Sequence, residues 1–329
     1  MLTKVGTPAI YPVIVETEQA NLRTYNFYIV ENNHKLFLVD AGYNNDISWN
    51  KLQKVLYENN YSLHDLDAIL LTHHHFDHVG LVNRIVEEHP IPVYAHEHSI
   101  VRLRREPQYL ENRIRFFDQL YLEMGSDPER VAQEMERLRL YVEKNELQIV
   151  NSDIQILQEG DEIFGLQVLE VIGHSLDHIA FYHEESKKII AGDHMIKHMS
   201  SNALIDINHK GERPFSLVFY EKSLQKLLDL PLETVYPGHG ELIVEPYKLL
   251  HEKLGRIKDR GQLILQMLNK PRTPAWIAKE IYQERYDLLF PLVMSEIIGH
   301  IDRLEYYGRV KRIVRDGVNY YEHSRRPKI

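Results

Sequence analysis

The chain has 329 residues, 43% of them apolar and 26% charged, with 39 basic against 48 acidic side chains, 19 histidines and no cysteine. That length accommodates two or three ordinary domains around a sizeable core, and the composition excludes disorder, collagen-like repeats and a disulfide scaffold. Without cysteine there is no thiolate nucleophile, iron–sulfur cluster or thiolate-bound zinc, so any metal must sit on histidine and carboxylate.

The start, MLTKVGTPAIYPV, lacks an uninterrupted apolar segment behind a basic one, and no run approaches the roughly 18 apolar residues of a spanning helix. The expectation is a cytoplasmic protein with no membrane contact. A formal net charge of −9 disfavours non-specific nucleic-acid binding by the whole molecule, which needs cationic neutralisation of phosphates. The charge is uneven: residues 251–329 carry 16 Lys and Arg against 10 Asp and Glu, a net of +6, whereas residues 1–250 are net −15.

In chain order, residues 24–31 (TYNFYIVE) and 35–39 (KLFLV) read as a β-hairpin about Asn32-Asn33. The stretch ISWNKLQKVLYENN then places Ile47, Leu52, Val55 and Leu56 near helical spacing. Strands follow at DAILLT (67–72) and PVYA (92–95), so the pattern is α/β. Residues 97–147 break the alternation with helix formers and i,i+4 charge pairs around Gly125-Ser126-Asp127-Pro128. They read as an inserted helical hairpin, expected to be a surface cover or a homodimer contact, with a lid over the site as the sharper alternative. Short strands return at DIQIL, LQVLEVI, HIAFYH and KIIAG, and a helix at 215–229 and the strand ETVYP (233–237) close the body at about residue 250. In the tail, helices at 251–269, 273–283 and about 291–307 precede RVKRIV, the turn Arg315-Asp316-Gly317 and VNYYE. Three helices and a D-G hairpin are the outline of a winged helix-turn-helix.

The chemistry is concentrated in Thr72-His73-His74-His75-Phe76-Asp77-His78, which follows a predicted strand. In extended chain residues i and i+2 point the same way, so His73 and His75 converge on one metal while Asp77 and His78 reach a neighbouring point. Three further islands end predicted strands, where loops of an α/β structure gather ligands: Gly173-His174-Ser175-Leu176-Asp177-His178, Gly192-Asp193-His194 and Pro237-Gly238-His239-Gly240.

With these islands in this order, and Val39-Asp40-Ala41-Gly42 ahead of them, residues 20–245 resemble the metallo-β-lactamase-fold hydrolase superfamily. The resemblance implies an αββα sandwich with a dinuclear centre: His73, His75 and His174 on the first metal, Asp77, His78 and His239 on the second, and Asp193 bridging both. Zinc is the expected metal pair, with iron or manganese as alternatives. Asp40 is expected to orient a ligand. His74, His178 and His194 fall off the ligand positions and are read as hydrogen-bonding or exposed, and His96 and His98 as exposed. Two close cations acidify a bridging water and polarise the acyl or phosphoryl oxygen, with Asp77 as the catalytic residue that orients the nucleophile and shuttles its proton.

The absence of cysteine excludes β-lactamases with a cysteine in the second site, and His75 stands where flavodiiron-type members carry a carboxylate. Glyoxalase II-like thioesterases and acyl-homoserine lactone hydrolases share the whole motif set. The GHSLDH island, YPGHG and the basic tail together are similar to the subgroup with a C-terminal winged helix, which includes a single-strand endoribonuclease and acyl-carrier-protein thioesterases. The first expectation is therefore a hydrolase acting on a small thioester, ester or lactone. The alternative is a single-strand endoribonuclease with nucleic-acid contacts through residues 251–329, chiefly Arg309, Lys311, Arg312 and Arg315, with stacking by Tyr306, Tyr307, Tyr320 and Tyr321. A mononuclear iron dioxygenase and a non-enzymatic nucleic-acid-binding regulator rank below both.

Overall fold

The computed structural model describes residues 7–18, 22–144, 149–200 and 203–324. The opening MLTKVG, residues 145–147 of the helical insertion and the chain end from 325 lie outside the described residues.

The first sheet has the order β1 (Ala9–Thr17), β2 (Arg23–Asn32), β3 (Lys35–Val39), β4 (Ala68–Leu70), β5 (Val93–His96), β6 (Ile154–Leu157). The first three strands pair antiparallel and the remainder parallel. Asn33 and His34, both at positive φ, make the two-residue turn between β2 and β3, one residue later than the sequence suggests. Strand β1 has no counterpart in the sequence reading. It carries Pro12 and lies at the sheet edge, where a missing N–H is tolerated. Helix α1 (Asp46–Glu58) starts on Asn45, whose side chain accepts from the Ser48 amide at 2.8 Å. The short α2 (Phe76–Val79), then α3 (Val82–Glu88), follow β4. The insertion comprises α4 (Ile100–Leu103), α5 (Pro107–Glu123) and α6 (Pro128–Lys144).

The second sheet runs β11-β10-β9-β8-β7, from β7 (Glu162–Ile163), β8 (Leu166–Glu170), β9 (Ile179–His183), β10 (Lys188–Gly192) and β11 (Thr234–Pro237), with α7 (Ser216–Leu228) between the last two. Alternation sorts these strands between two cores each. On β2, Phe27 and Ile29 face α1 and α3, while Tyr28 and Val30 face the second sheet; on β9, Ile179 and Phe181 face the first sheet, while Ala180 and Tyr182 face α7. Strands buried on both faces explain why KLFLV and KIIAG read as unbroken apolar runs. The result is an αββα sandwich.

The tail consists of α8 (Pro246–Met267), α9 (Pro274–Tyr282), α10 (Arg285–Leu288), α11 (Phe290–Tyr306) and the hairpin β12 (Val310–Arg315) and β13 (Val318–His323). Asp316 and Gly317, both at positive φ, form its turn. Residue 250, where the composition changes, lies inside α8, so body and tail share one continuous helix. The insertion packs on this tail: Phe117, Leu120, Tyr121 and Met124 of α5 and its end share a core with Leu268, Ile277, Phe290, Met294 and Tyr321. Among the described residues no helix is long and apolar enough to cross a membrane.

Candidate metal centre

The site gathers at the ends of the strands of both sheets. His73, His75, Asp77 and His78 follow β4; His174 follows β8; Asp193 follows β10; His239 follows β11. One ligand atom each from His73, His75, His174 and Asp193 lie within 4.8 Å of one another, and Asp77, His78 and His239 form a second such group. Asp193 stands between the groups: its Oδ2 is 3.5 Å from His174 Nε2 and 3.2 Å from His239 Nε2, and its Oδ1 is 3.4 Å from His78 Nε2. Asp77 Oδ2 is 3.4 Å from His239 Nε2.

The donor set fits divalent cations. His75 Nδ1 lies 2.9 Å from His73 Nε2 and 3.1 Å from His174 Nε2. Three imidazole nitrogens meeting at such distances turn lone pairs toward one another, an arrangement that a shared cation satisfies and one proton does not. His78 Nε2 and Asp193 Oδ1 are buried without hydrogen-bond partners, as ligand atoms directed at an ion would be.

The electrostatics divide along the same lines. Burial, then the neighbouring His78 and His75, push His73 well below the ordinary imidazole value, and burial with His74 and His174 does the same to His75. Burial opposes charge on His78 and His239 as well, but Asp40 and Asp193 raise His78 well above its usual value and Asp193 raises His239. Burial would raise Asp193, yet His239 and His78 hold it well below the usual carboxylate range. A cation there would take the place of those protons, because a ligating imidazole is neutral.

Supporting contacts orient the rings. Asp40, at positive φ, accepts from His78 Nδ1 at 2.8 Å and from the Thr72 amide and hydroxyl at 2.8 Å each. Asp40, expected to orient a ligand, thus contacts His78, one of the expected ligands. Thr72 Oγ1 is also 3.1 Å from His73 Nδ1, and the Thr24 carbonyl accepts from His239 Nδ1 at 2.7 Å. Asn26 and Tyr28 hold the Pro237 carbonyl at 3.0 and 2.6 Å, fixing the loop that carries His239. Gly238 is required by close approach: a Cβ there would sit 2.3 Å from Asp193 Oδ1 and 2.7 Å from His78 Cε1. Gly238→Ala is expected to leave the fold intact but lower the metal retained after dialysis by at least about 10-fold, measured by elemental analysis.

The remaining histidines differ in detail from the sequence reading. His74 is hydrogen-bonded: its Nδ1 and amide both reach Asp177 at 2.9 Å, and Asp177 also accepts from Ser99 Oγ at 2.7 Å. His178 is fully buried, stacked on His73 at 4.7 Å, and its Nε2 accepts from the Asp193 amide at 3.0 Å. His194 is also fully buried. His96, expected to be exposed, is buried with its Nε2 3.2 Å from Glu170 Oε1, because β8 of the second sheet packs over the end of β5; His98 is half-buried against His209. Asp177 and Thr72 stand inside quoted islands without a role assigned to them, whereas nothing local marks Thr24 or Asn26.

His74, His75 and Asp77 open onto a cavity of about 490 Å3. Tyr25, Tyr43 and Phe76 of the body, Phe117, Tyr121 and Tyr141 of the insertion, and Pro291 and Leu292 of α11 form its walls. The insertion is thus a wall of the site. Arg102 and Arg113 meet at Asp206, at 2.5 and 2.9 Å, and burial of that carboxylate is more than offset by the two guanidinium groups, which lower it. Ser295 Oγ accepts from the neighbouring Ile205 amide at 2.6 Å, so the loop carrying Asp206 is clamped between insertion and tail.

Comparison with known proteins agrees with this geometry. The model of the metallo-beta-lactamase superfamily matches residues 20–239. A protein of Bacillus subtilis strain 168 named probable metallo-hydrolase YqjP is 32% identical over 275 residues, covering 82% of this chain and 84% of that protein. A protein of Claviceps purpurea named atrochrysone carboxyl ACP thioesterase is 27% identical, covering 80% of this chain and 68% of its own. The crystal structure of a metallo-beta-lactamase family protein from Thermus thermophilus superposes with a TM-score of 0.75 at 25% identity, covering 96% of this chain and 98% of the other.

Proposed function

The chain belongs to the metallo-beta-lactamase superfamily, and on that premise we propose that it is a dinuclear metallohydrolase, with zinc as the expected metal, acting on a small thioester, with esters and lactones as the wider class. The observation that carries this reading is the opening of the His and Asp cluster onto a largely aromatic and aliphatic cavity of about 490 Å3, a size and lining suited to a small organic substrate. A relative named as a thioesterase over most of this chain supports the same choice.

When bound, the metal ions supply a water acidified to near neutral pH and polarise the acyl oxygen. His73, His75 and His174 would hold one ion, Asp77, His78 and His239 the other, with Asp193 shared. The chain's own contribution is orientation and proton handling. Asp77 faces the cavity, accepts the proton of the attacking water and holds its oxygen toward the acyl carbon. The new C–O bond forms, the C–S bond breaks, and the proton passes from Asp77 to sulfur. A thiolate of pKa about 8.5 is a good leaving group, so one carboxylate shuttle is sufficient.

A small-molecule substrate is favoured over RNA by the tail's own contacts. Lys311 pairs with Glu322 at 2.7 Å, Arg312 with Glu305 at 3.8 Å, and Arg315 lies over the Tyr320 ring. Tyr321 is fully buried, so it offers no face to a base. The same proposal takes residues 251–329 as a winged-helix-like unit whose task is to wall the pocket. The test is metal content together with hydrolysis of acyl thioesters, lactones and single-stranded RNA. Thioester cleavage that falls at least about 100-fold in Asp77→Ala is the expected result; RNA cleavage alone, or activity indifferent to that change, would overturn the reading.

A further inference from the structure

The cavity above the cluster sets two guanidinium groups against one carboxylate. Arg102 of α4 and Arg113 of α5 both line it, and both reach Asp206. Arg113 engages that carboxylate through a single nitrogen: its Nε donates to Asp206 Oδ1 at 3.0 Å and to Oδ2 at 2.9 Å. Its two terminal nitrogens have no hydrogen-bond partner among the described residues. Asp206 has no further capacity for them, because Oδ1 also accepts from the Ile207 amide at 2.8 Å and Oδ2 from Arg102 Nη2 at 2.5 Å. The Arg113 guanidinium lies over the Phe117 ring, 4.9 Å from its centroid, and its side chain stays 21% exposed. Other charged groups at this wall are engaged elsewhere. Arg105 donates to the Val142 carbonyl, and Asp177 accepts from His74 and Ser99.

We propose that Arg113 determines specificity in this pocket, and that the substrate is a thioester carrying a carboxylate bound by the two terminal nitrogens of Arg113. The assignment rests on the thioester reading above and narrows it. A guanidinium held at Nε by Asp206 and flat against Phe117 presents its outer edge as a fixed fork, and a carboxylate accepts from such a fork through two parallel N–H bonds. Because Asp206 and Phe117 already restrain the side chain, little rotamer freedom is left to lose when the anion binds. Two cations on one carboxylate leave a net single positive charge, which a monoanion neutralises. The rest of the lining, from Leu110, Phe117, Tyr121, Leu204, Pro291 and Leu292, suits the apolar body of such a substrate.

The test is thiol release by the metal-loaded full chain from two matched pairs. One is the adipoyl thioester of N-acetylcysteamine and its methyl ester; the other is the hexanoyl thioester of 3-mercaptopropionate and its methyl ester. In one pair the acid is expected to exceed its ester by about 10-fold or more in kcat/KM, and which pair does so tells whether the acyl or the thiol side bears the carboxylate. That ratio should fall toward one in Arg113→Met and be kept in part by Arg113→Lys. Taken within each variant, it does not depend on the fraction folded or loaded with metal. Esters cleaved as well as acids by the wild type, or a preference that survives Arg113→Met, would overturn the assignment and leave the thioesterase reading standing. No cleavage of any thioester would end both. A readout without turnover is calorimetric binding of the amide analogue of the preferred acid, expected to be about 10-fold tighter than its methyl ester in the wild type and equal to it in Arg113→Met. Equal binding to the wild type counts against the assignment.

Discussion

Replacement of Asp193 by Ala is expected to release metal from both halves of the cluster and to abolish hydrolysis. Its carboxylate is within 3.5 Å of ring nitrogens from His174, His78 and His239, so its loss removes the side chain that joins the two groups. It also leaves His78, raised well above its usual value by Asp40 and Asp193, with Asp40 as its main remaining carboxylate. Asp40→Asn is the graded comparison. It keeps an acceptor for the Thr72 amide but weakens the acceptor for His78 Nδ1, and a supporting change of this kind costs about 10–100-fold in metal affinity or activity. Elemental analysis and turnover of the two variants should therefore rank Asp193→Ala below Asp40→Asn below wild type. Full metal content in Asp193→Ala would show that the carboxylate is not a shared ligand.

The parts of this site that are legible in the sequence are those encoded locally. His73 and His75 face together because they are two residues apart on extended chain, and the four islands mark themselves by following apolar strands. What escapes a sequence reading is set by chain segments far apart. His74 finds Asp177 across 103 residues and His239 finds the Thr24 carbonyl across 215, and neither pairing leaves a periodic trace. His96 reads as exposed because no motif surrounds it, yet Glu170 from the other sheet covers it. The β1 strand goes unseen because Pro12 argues against a strand unless its place at the edge is known. The helix starting at Pro246 crosses the compositional break at 250, a reminder that charge asymmetry reports surface and not packing.

Phe290→Ala tests whether insertion and tail form one structural unit above the cluster. Phe290 is fully buried, its ring 4.8 Å from Tyr121 and 5.4 Å from Tyr286, with the Arg130 guanidinium 4.3 Å from its centroid. Truncating such a ring costs about 3–5 kcal/mol through lost contacts and the cavity left behind, a large share of the roughly 5–15 kcal/mol that holds a domain folded. Tyr121 and Leu292 both line the cavity above the cluster, so loosening their common support should open its wall. The expected result is a lowered melting temperature and a raised KM for an apolar thioester, with metal content unchanged because every proposed ligand lies on the body. Separation of the effects is what gives the experiment its force. A tail that melts on its own while KM stays constant would mean that residues 251–329 are an independent domain, and the apolar wall of the pocket would have to come from the insertion alone.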